Sequence, residues 1–396
     1  MTSSNIWVSE LNTRPEVRNG FPKKTIRFYD TTLRDGEQTV GVVLSPQQKL
    51  EIALKLDELG IDRIEAGFPR VSPEDAEAIQ LMQKAGIKAE LWGFSRAVKA
   101  DIDELVRLGI KASVIESPTS DIKLKAYDIS ADELLRRVEA AVAAAVQSDI
   151  KVAFFAVDST RTELTFLEKV YVTAMNAGAS EIVVVDTIGA CGPEAAEFLM
   201  HEVRSWMGPA VPLHWHGHND FGMATACAVA AVRGGATWIQ GTINGMGERA
   251  GNADIGEIAL ALKCLYGVDV ALNLEKVRDV SETVCRASGY TLEAWKPLVG
   301  QNLFMRESGA VASQFHIPEA IEPYSSDLVG ATRSIVLGKK SGLDSVDLKA
   351  KELGLSITPE QRGSILAEVK KCAIAKRGLV NDTEFRKIVM SLTSSD

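Results

Sequence analysis

Short runs of β-branched and apolar residues recur along the first 245 positions: TIRFY (25–29), DRIEA (62–66), AELWGF (89–94) and ASVIES (112–117). The series continues with KVAFFA (151–156), EIVVVD (181–186), PLHWH (212–216) and WIQGT (238–242). The segments between these runs repeat with helical periodicity and carry start signals. Ser45-Pro46 and Ser72-Pro73 each put a capping hydroxyl before a proline at the first helical position. Ser130 and Glu133 have capping-box spacing, Pro193 opens another helix, and Gly60, Gly86, Gly178 and Gly234 close helices. Strands apolar on both faces, alternating with amphipathic helices, predict a parallel sheet. Eight such units, with no glycine-rich dinucleotide turn after the first strand, predict an α/β fold of the (β/α)8 TIM-barrel type over residues 25–285. Residues 1–24 read as an N-terminal extension. Beyond 285 the alternation stops, and 286–396 read as a linker and a smaller, mostly helical C-terminal appendage, with helices in 347–354, 358–376 and 382–392.

Barrel enzymes place their chemistry at the C-terminal ends of the strands. The first run leads into Asp30-Thr31-Thr32-Leu33-Arg34-Asp35-Gly36-Glu37-Gln38, and the seventh into His214-Trp215-His216-Gly217-His218. Alternate strand residues share a face, so His216 and His218 can grip one cation. Asp35 can add a carboxylate oxygen, because only the eighth strand separates the first from the seventh. Two neutral imidazoles and a carboxylate suit a divalent ion such as Zn, Mn, Mg or Co. An H-x-H pair is about as often structural, Asp35 could merely cap its loop, and His214 reads as packing.

Composition narrows the field. The 396 residues carry a net charge of −9 and no basic block, which disfavours nucleic acid and anionic membranes as partners. No apolar stretch approaches the ~20 residues that cross a bilayer, and the N-terminus lacks a signal-peptide core. Five scattered cysteines without a CxxC pair suit a reduced, cytoplasmic protein.

Taken together, DTTLRDGEQ (30–38), HGHNDFGMATACAVAAVRGGA (216–236) and NGMGERAGNAD (244–254) resemble the signatures of the family of homocitrate, 2-isopropylmalate and citramalate synthases. The 3-hydroxy-3-methylglutaryl-CoA lyases belong to the same wider superfamily. DLVG (327–330) and LGKKSG (337–342) look like the family's linker elements. The resemblance implies a barrel with a divalent metal held by Asp35, His216 and His218, and Asn252 near or on it. It implies acetyl-CoA as co-substrate and a homodimer whose appendage covers the partner's barrel mouth. The implied reaction is a Claisen-type condensation of a 2-oxo acid with a short acyl-CoA. In it Arg34 stabilises the oxygen charge and Thr187 binds the acid's carboxylate, with Gln38 and Glu65 lining the pocket. For Arg34 the plainer role is a rim salt bridge, and for Thr187 a loop cap.

The chain also departs from this pattern. Val157 stands where the family has a glutamate, Val311 where a histidine serves proton transfer, and Ile321 where a tyrosine is expected; Lys340 replaces a further histidine. A valine or isoleucine cannot move a proton. His316 and Tyr324 lie close by in sequence and are candidate replacements, or ordinary surface residues. Arg306, Lys340 and Lys123 hint at a strongly anionic ligand, against solvated surface charge. The leading expectation is an acyltransferase; a carbon–carbon lyase on a related hydroxy acid is the alternative. An iron oxygenase and a silent binding protein are more distant readings.

Overall fold

The structure, a computed structural model, describes residues 5–393. Eight strands are present where the apolar runs predict them: β1 (Arg27–Asp30), β2 (Arg63–Glu65), β3 (Glu90–Arg96), β4 (Ala112–Pro118), β5 (Lys151–Val157), β6 (Glu181–Asp186), β7 (Leu213–Gly217) and β8 (Trp238–Gly241). Each pairs in parallel with the next, and β8 closes on β1 with Arg27 opposite Trp238 and Asp30 opposite Gly241. The expected (β/α)8 barrel is therefore the observed one.

The predicted helix starts are real caps. Ser45 and Gln48 form a reciprocal capping box at the helix Pro46–Leu59. Ser72 Oγ accepts from the Asp75 amide at 3.1 Å, and Ser130 Oγ from that of Glu133 at 3.2 Å. Gly60 ends its helix at φ 91°, a conformation that glycine alone enters without steric resistance.

Inside the barrel the side chains sit in levels. The middle is apolar and aromatic, with Tyr29, Trp92, Phe94, Val114, Phe155 and Val183 in one buried cluster. The floor, at the N-terminal strand ends, is charged. Glu181 accepts from Arg63 Nη1 and Nη2 at 2.7 and 3.0 Å, contacts His214 Nε2 at 2.6 Å and pairs with Lys151 at 2.6 Å. The third guanidinium nitrogen of Arg63 reaches Glu90 at 2.8 Å. The guanidinium lies over the rings of Trp238 and Trp92, and His214 stacks on Trp238 at 5.5 Å. A buried charge network is tolerable only when each charge has its partners, and here each has.

The chain divides into two compact units. The barrel unit covers residues 9–291. The helix Val277–Ser288 runs through position 285 and packs on Pro46–Leu59, so the break falls after it. Phe21, in the expected extension, stacks on Tyr266 of the same unit at 4.4 Å. The second unit joins residues from 292 onward with those up to Val8. Trp7 N donates to Pro323 O at 2.8 Å, Ser325 N to Asn5 O at 2.9 Å, and Ile6 pairs with Tyr324. Its helices are Leu343–Glu352, Gln361–Lys376 and Asp382–Thr393, gathered around Val346, Ile365, Val369, Phe385 and Val389. The middle helix starts three residues later than expected, because Thr358-Pro359-Glu360 forms the turn before it. Among the described residues no helix is long and apolar enough to cross a membrane.

Candidate metal centre at the barrel mouth

β7 and the residue just past it present three histidines, and height decides their roles. His214 is locked into the floor. Two residues higher, His216 Nε2 lies 3.2 Å from Asp35 Oδ2, and His218 Nε2 lies 3.7 Å from the same oxygen. The two rings are 5.4 Å apart, and all three side chains are buried. Phe155 of β5 braces His216 edge-on at 5.1 Å.

The turn after β1 delivers Asp35. Asp30 accepts from the amide and hydroxyl of Thr32, whose hydroxyl in turn accepts from Ile243 N at 2.9 Å. Thr31 O accepts from the amides of Arg34, Asp35 and Gly36, coiling the chain so that Asp35 points inward. Buried Lys49 fixes the same turn from outside, donating to Leu33 O at 3.2 Å and pairing with Glu37 and Asp75.

Arg34 lies beside the cluster. Its Nε donates to Glu65 at 2.7 Å, Nη1 is 3.4 Å from Asp35, and the guanidinium covers Phe94 at 4.1 Å. Glu65 is fully buried, and its oxygens also take Tyr29 and Thr31 hydroxyls. Rather than lining the pocket, Glu65 anchors Arg34. Gln38 is exposed, at the edge of a cavity of about 660 Å³ that Arg34, Val42 and Phe68 also line and that none of the three cluster residues lines. Thr187 follows β6 half-buried, its hydroxyl accepting from Asp158 N at 2.8 Å.

Asn252 reaches the cluster by backbone, in a bridge with His218. Its Nδ2 donates to Met246 O at 3.0 Å, leaving Oδ1 buried with no hydrogen-bond partner. Gly247, at φ 154°, makes room: a Cβ there would collide with the Asn252 amide. His216 Nδ1, His218 Nδ1 and Arg34 Nη2 are likewise buried without partners. Native interiors rarely leave so many polar atoms unpaired in one place.

The local field suits a cation. Burial alone would push the Asp35 carboxyl up, but Arg34 and both imidazoles outweigh it and hold the group well below the usual carboxylate range. Burial pushes His218 down to about 4 despite Asp35, so the ring is neutral at pH 7 with lone pairs to offer.

Glu116 at the end of β4 escaped the sequence reading. It stands opposite Arg96 and Phe155 in the sheet, and burial pushes it up to about 7, Arg34 opposing and Glu65 and Asp35 adding. Its parity with Val114 in ASVIES was the available signal. Val157 packs against the barrel cluster. His316 is exposed in the second unit. Tyr324, in the same unit, is buried edge-on against Phe304 at 5.9 Å. Arg306 is no free charge: it bonds the carbonyls of Leu303, Met305 and Ile321 and pairs with Glu322.

A closed barrel with two imidazoles, a carboxylate and an arginine converging at its mouth is the architecture of TIM-barrel proteins that work from the C-terminal strand ends. The chain belongs to the family of the homocitrate and 2-isopropylmalate synthases: the HMGL-like family matches residues 25–284, and the homocitrate synthase post-HMGL domain-like family matches 298–377. It is 38% identical to homocitrate synthase AksA of Methanothermobacter thermautotrophicus, over 98% of each chain. It is 39% identical to the (R)-citramalate synthase CimA of Methanocaldococcus jannaschii, over 93% of this chain and 75% of that one. The 2-isopropylmalate synthase of the same organism is also 39% identical, over 92% of this chain and 71% of that one. Among solved structures, hydroxymethylglutaryl-CoA lyase from Pseudomonas aeruginosa matches with a TM-score of 0.62 at 20% identity, over 69% of this chain and 95% of that one, a likeness of fold.

Proposed function

We propose that the protein is a metal-dependent acyltransferase that condenses a 2-oxo acid with acetyl-CoA or another short acyl-CoA. The products are a 2-substituted malate and free CoA, with one water consumed at the thioester. The carrying observation is the convergence of Asp35, His216 and His218 beside Arg34, in a chain collinear with synthases named for homocitrate, citramalate and isopropylmalate. The lyase alternative finds support only in fold-level neighbours.

The donor set fits a divalent ion of the Zn, Mn, Mg or Co kind. Asp35, His216 and His218 would hold it, and the unpartnered Asn252 Oδ1 is a fourth donor available to it or to a ligated water. Bound there, the ion supplies Lewis acidity toward a ketone oxygen. Arg34, fixed by Glu65 with its Nη1 3.4 Å from Asp35, stabilises negative charge developing on that oxygen. The Thr187 hydroxyl binds the acid's carboxylate, with Gln38 at the rim. For proton removal from the acyl methyl, exposed His316 is the better candidate and buried Tyr324 the weaker. We place the protein in the cytoplasm, where its five cysteines, none of them in a disulfide among the described residues, suit a reducing medium, and as a homodimer, which sedimentation equilibrium tests.

The deciding experiment is a free-thiol assay. Purified protein with acetyl-CoA, a divalent ion and a panel of 2-oxo acids should release CoA with at least one acid, and chelation should stop it. Silence across the panel, or turnover untouched by chelation, sinks the proposal.

A further inference from the structure

The residue after β5 has no part in the scheme above, yet the mouth is tied together through it. Asp158 is fully buried and has left-handed backbone angles, φ 70° and ψ 34°. An L side chain enters that region against steric resistance, so something must hold it there. Its carboxylate accepts from Arg161 Nε and Nη2 at 2.8 and 2.7 Å and from Ser120 Oγ at 2.5 Å. Its carbonyl accepts from Arg161 N at 3.1 Å and Thr162 Oγ1 at 2.9 Å. Held in this way, the Asp158 amide donates to Thr187 Oγ1 at 2.8 Å.

That bond has a direction. An amide N–H can only donate, so it occupies the threonine oxygen as an acceptor and leaves the hydroxyl proton to be given elsewhere. Among the described residues no hydrogen-bond acceptor takes that proton. The segment bearing Thr187 is also bound to the metal cluster and to the loop after β8: His218 N donates to Asp186 O at 3.1 Å, and Arg249 Nη2 to Thr187 O at 2.8 Å.

We propose that Asp158 is a positioning residue for the oxo acid. Its carboxylate, tied to Ser120 and Arg161, keeps the backbone left-handed. The amide so placed pins Thr187 and commits the hydroxyl to donating to the acid's carboxylate. This rests on the reading of the protein as a 2-oxo acid condensing enzyme. A purely structural Asp158 would merely staple the ends of β4, β5 and β6.

The test uses the full-length, metal-loaded protein with pyruvate, 2-oxoisovalerate and 2-oxoglutarate as probes. Asp158→Ala should raise KM for the acid about tenfold, the scale of one hydrogen bond, and leave KM for acetyl-CoA within about twofold. Asp158→Asn, whose side chain tolerates the left-handed region, should restore most of the loss. Thr187→Val should match Asp158→Ala, and the double variant should be no worse than Thr187→Val alone. Equal shifts in both KM values, additive losses, or an unchanged KM in Asp158→Ala overturn the proposal. Should Asp158→Ala lose its melting transition, Arg161→Met with Thr187→Val carries the same comparison. Wild-type protein that releases thiol with none of the three acids sinks the condensation reading instead. Calorimetry with pyruvate then decides: binding weakened about tenfold by Asp158→Ala, one hydrogen bond's worth, supports the inference, and equal or absent binding ends it.

Discussion

At the floor of the barrel Glu181 meets Arg63, His214 and Lys151, and at the mouth Asp35 meets Arg34, His216 and His218. The ingredients are nearly the same: a buried carboxylate, an arginine and imidazoles. Their completion differs. All three guanidinium nitrogens of Arg63 have carboxylate partners, and the atoms left over nearby, the Trp92 indole N–H and one Gln240 oxygen, are neutral. At the mouth Arg34 Nη2, both Nδ1 atoms and Asn252 Oδ1 are open. A finished network stabilises a fold; an unfinished one is arranged for something that arrives later. The contrast also explains how one strand and the residue just past it can carry three histidines in two different trades.

The comparison can be broken by experiment. Asp35→Ala should lower thiol release on the order of a thousandfold or more, as loss of a charge-stabilising centre does, with the melting temperature displaced by only a few degrees. Glu181→Ala should do the reverse. It leaves Arg63 buried without its main partner, which costs about 3–5 kcal/mol in a denaturant titration, while turnover per folded molecule stays near wild type. If both variants lose activity alike, the distinction between floor and mouth is wrong. Asn252→Ala should weaken metal affinity roughly tenfold, a typical effect of a supporting ligand, measured by competition with a chelator; unchanged affinity would remove Asn252 from the site.

The smallest expected effect is in pH. Burial pushes Glu181 up, but His214 and Arg63 overcome it and leave its carboxyl below the ordinary glutamate range. The unfolded chain therefore binds the proton first, near pH ~4.3, and the stability this contact gives is whole above that range and lost as pH falls through it. His214, held neutral by burial, adds a loss of the same sign that begins near its unfolded value of ~6.5. Glu116 and Asp30, both pushed up to about 7 by burial, act in the opposite sense and gain stability as pH falls toward 4. The floor's share is therefore read as a difference: metal-free wild type should lose melting temperature more steeply than Glu181→Gln below about pH 4.3. An unaltered slope would show that the floor does not titrate as described.

Much of this was legible in the chain. Short runs of apolar and β-branched residues located all eight strands, and hydroxyl-proline pairs located helix starts, because both signals are local. Asp35, His216 and His218 could be grouped because parity and barrel closure bring strand ends together. What escaped was whatever depends on height within the barrel or on backbone conformation. Glu65 reads from sequence as a pocket residue, but its level puts it behind Arg34. Lys49 looks like an ordinary helix lysine until Leu33 O and Asp75 close around it. The left-handed Asp158 has no sequence mark of its own, and the pairing of Ile6 with Tyr324 joins positions more than 300 apart.

The plugged floor has a kinetic corollary. With Trp92, Trp238, Arg63 and His214 filling the lower end, acid, thioester, water and both products cannot pass through the floor and must use the mouth. Whichever molecule lodges deepest must come in first and go out last. Traffic through this barrel is therefore a queue, and a fixed sequence of arrivals and departures is imposed by the architecture before any side chain expresses a preference.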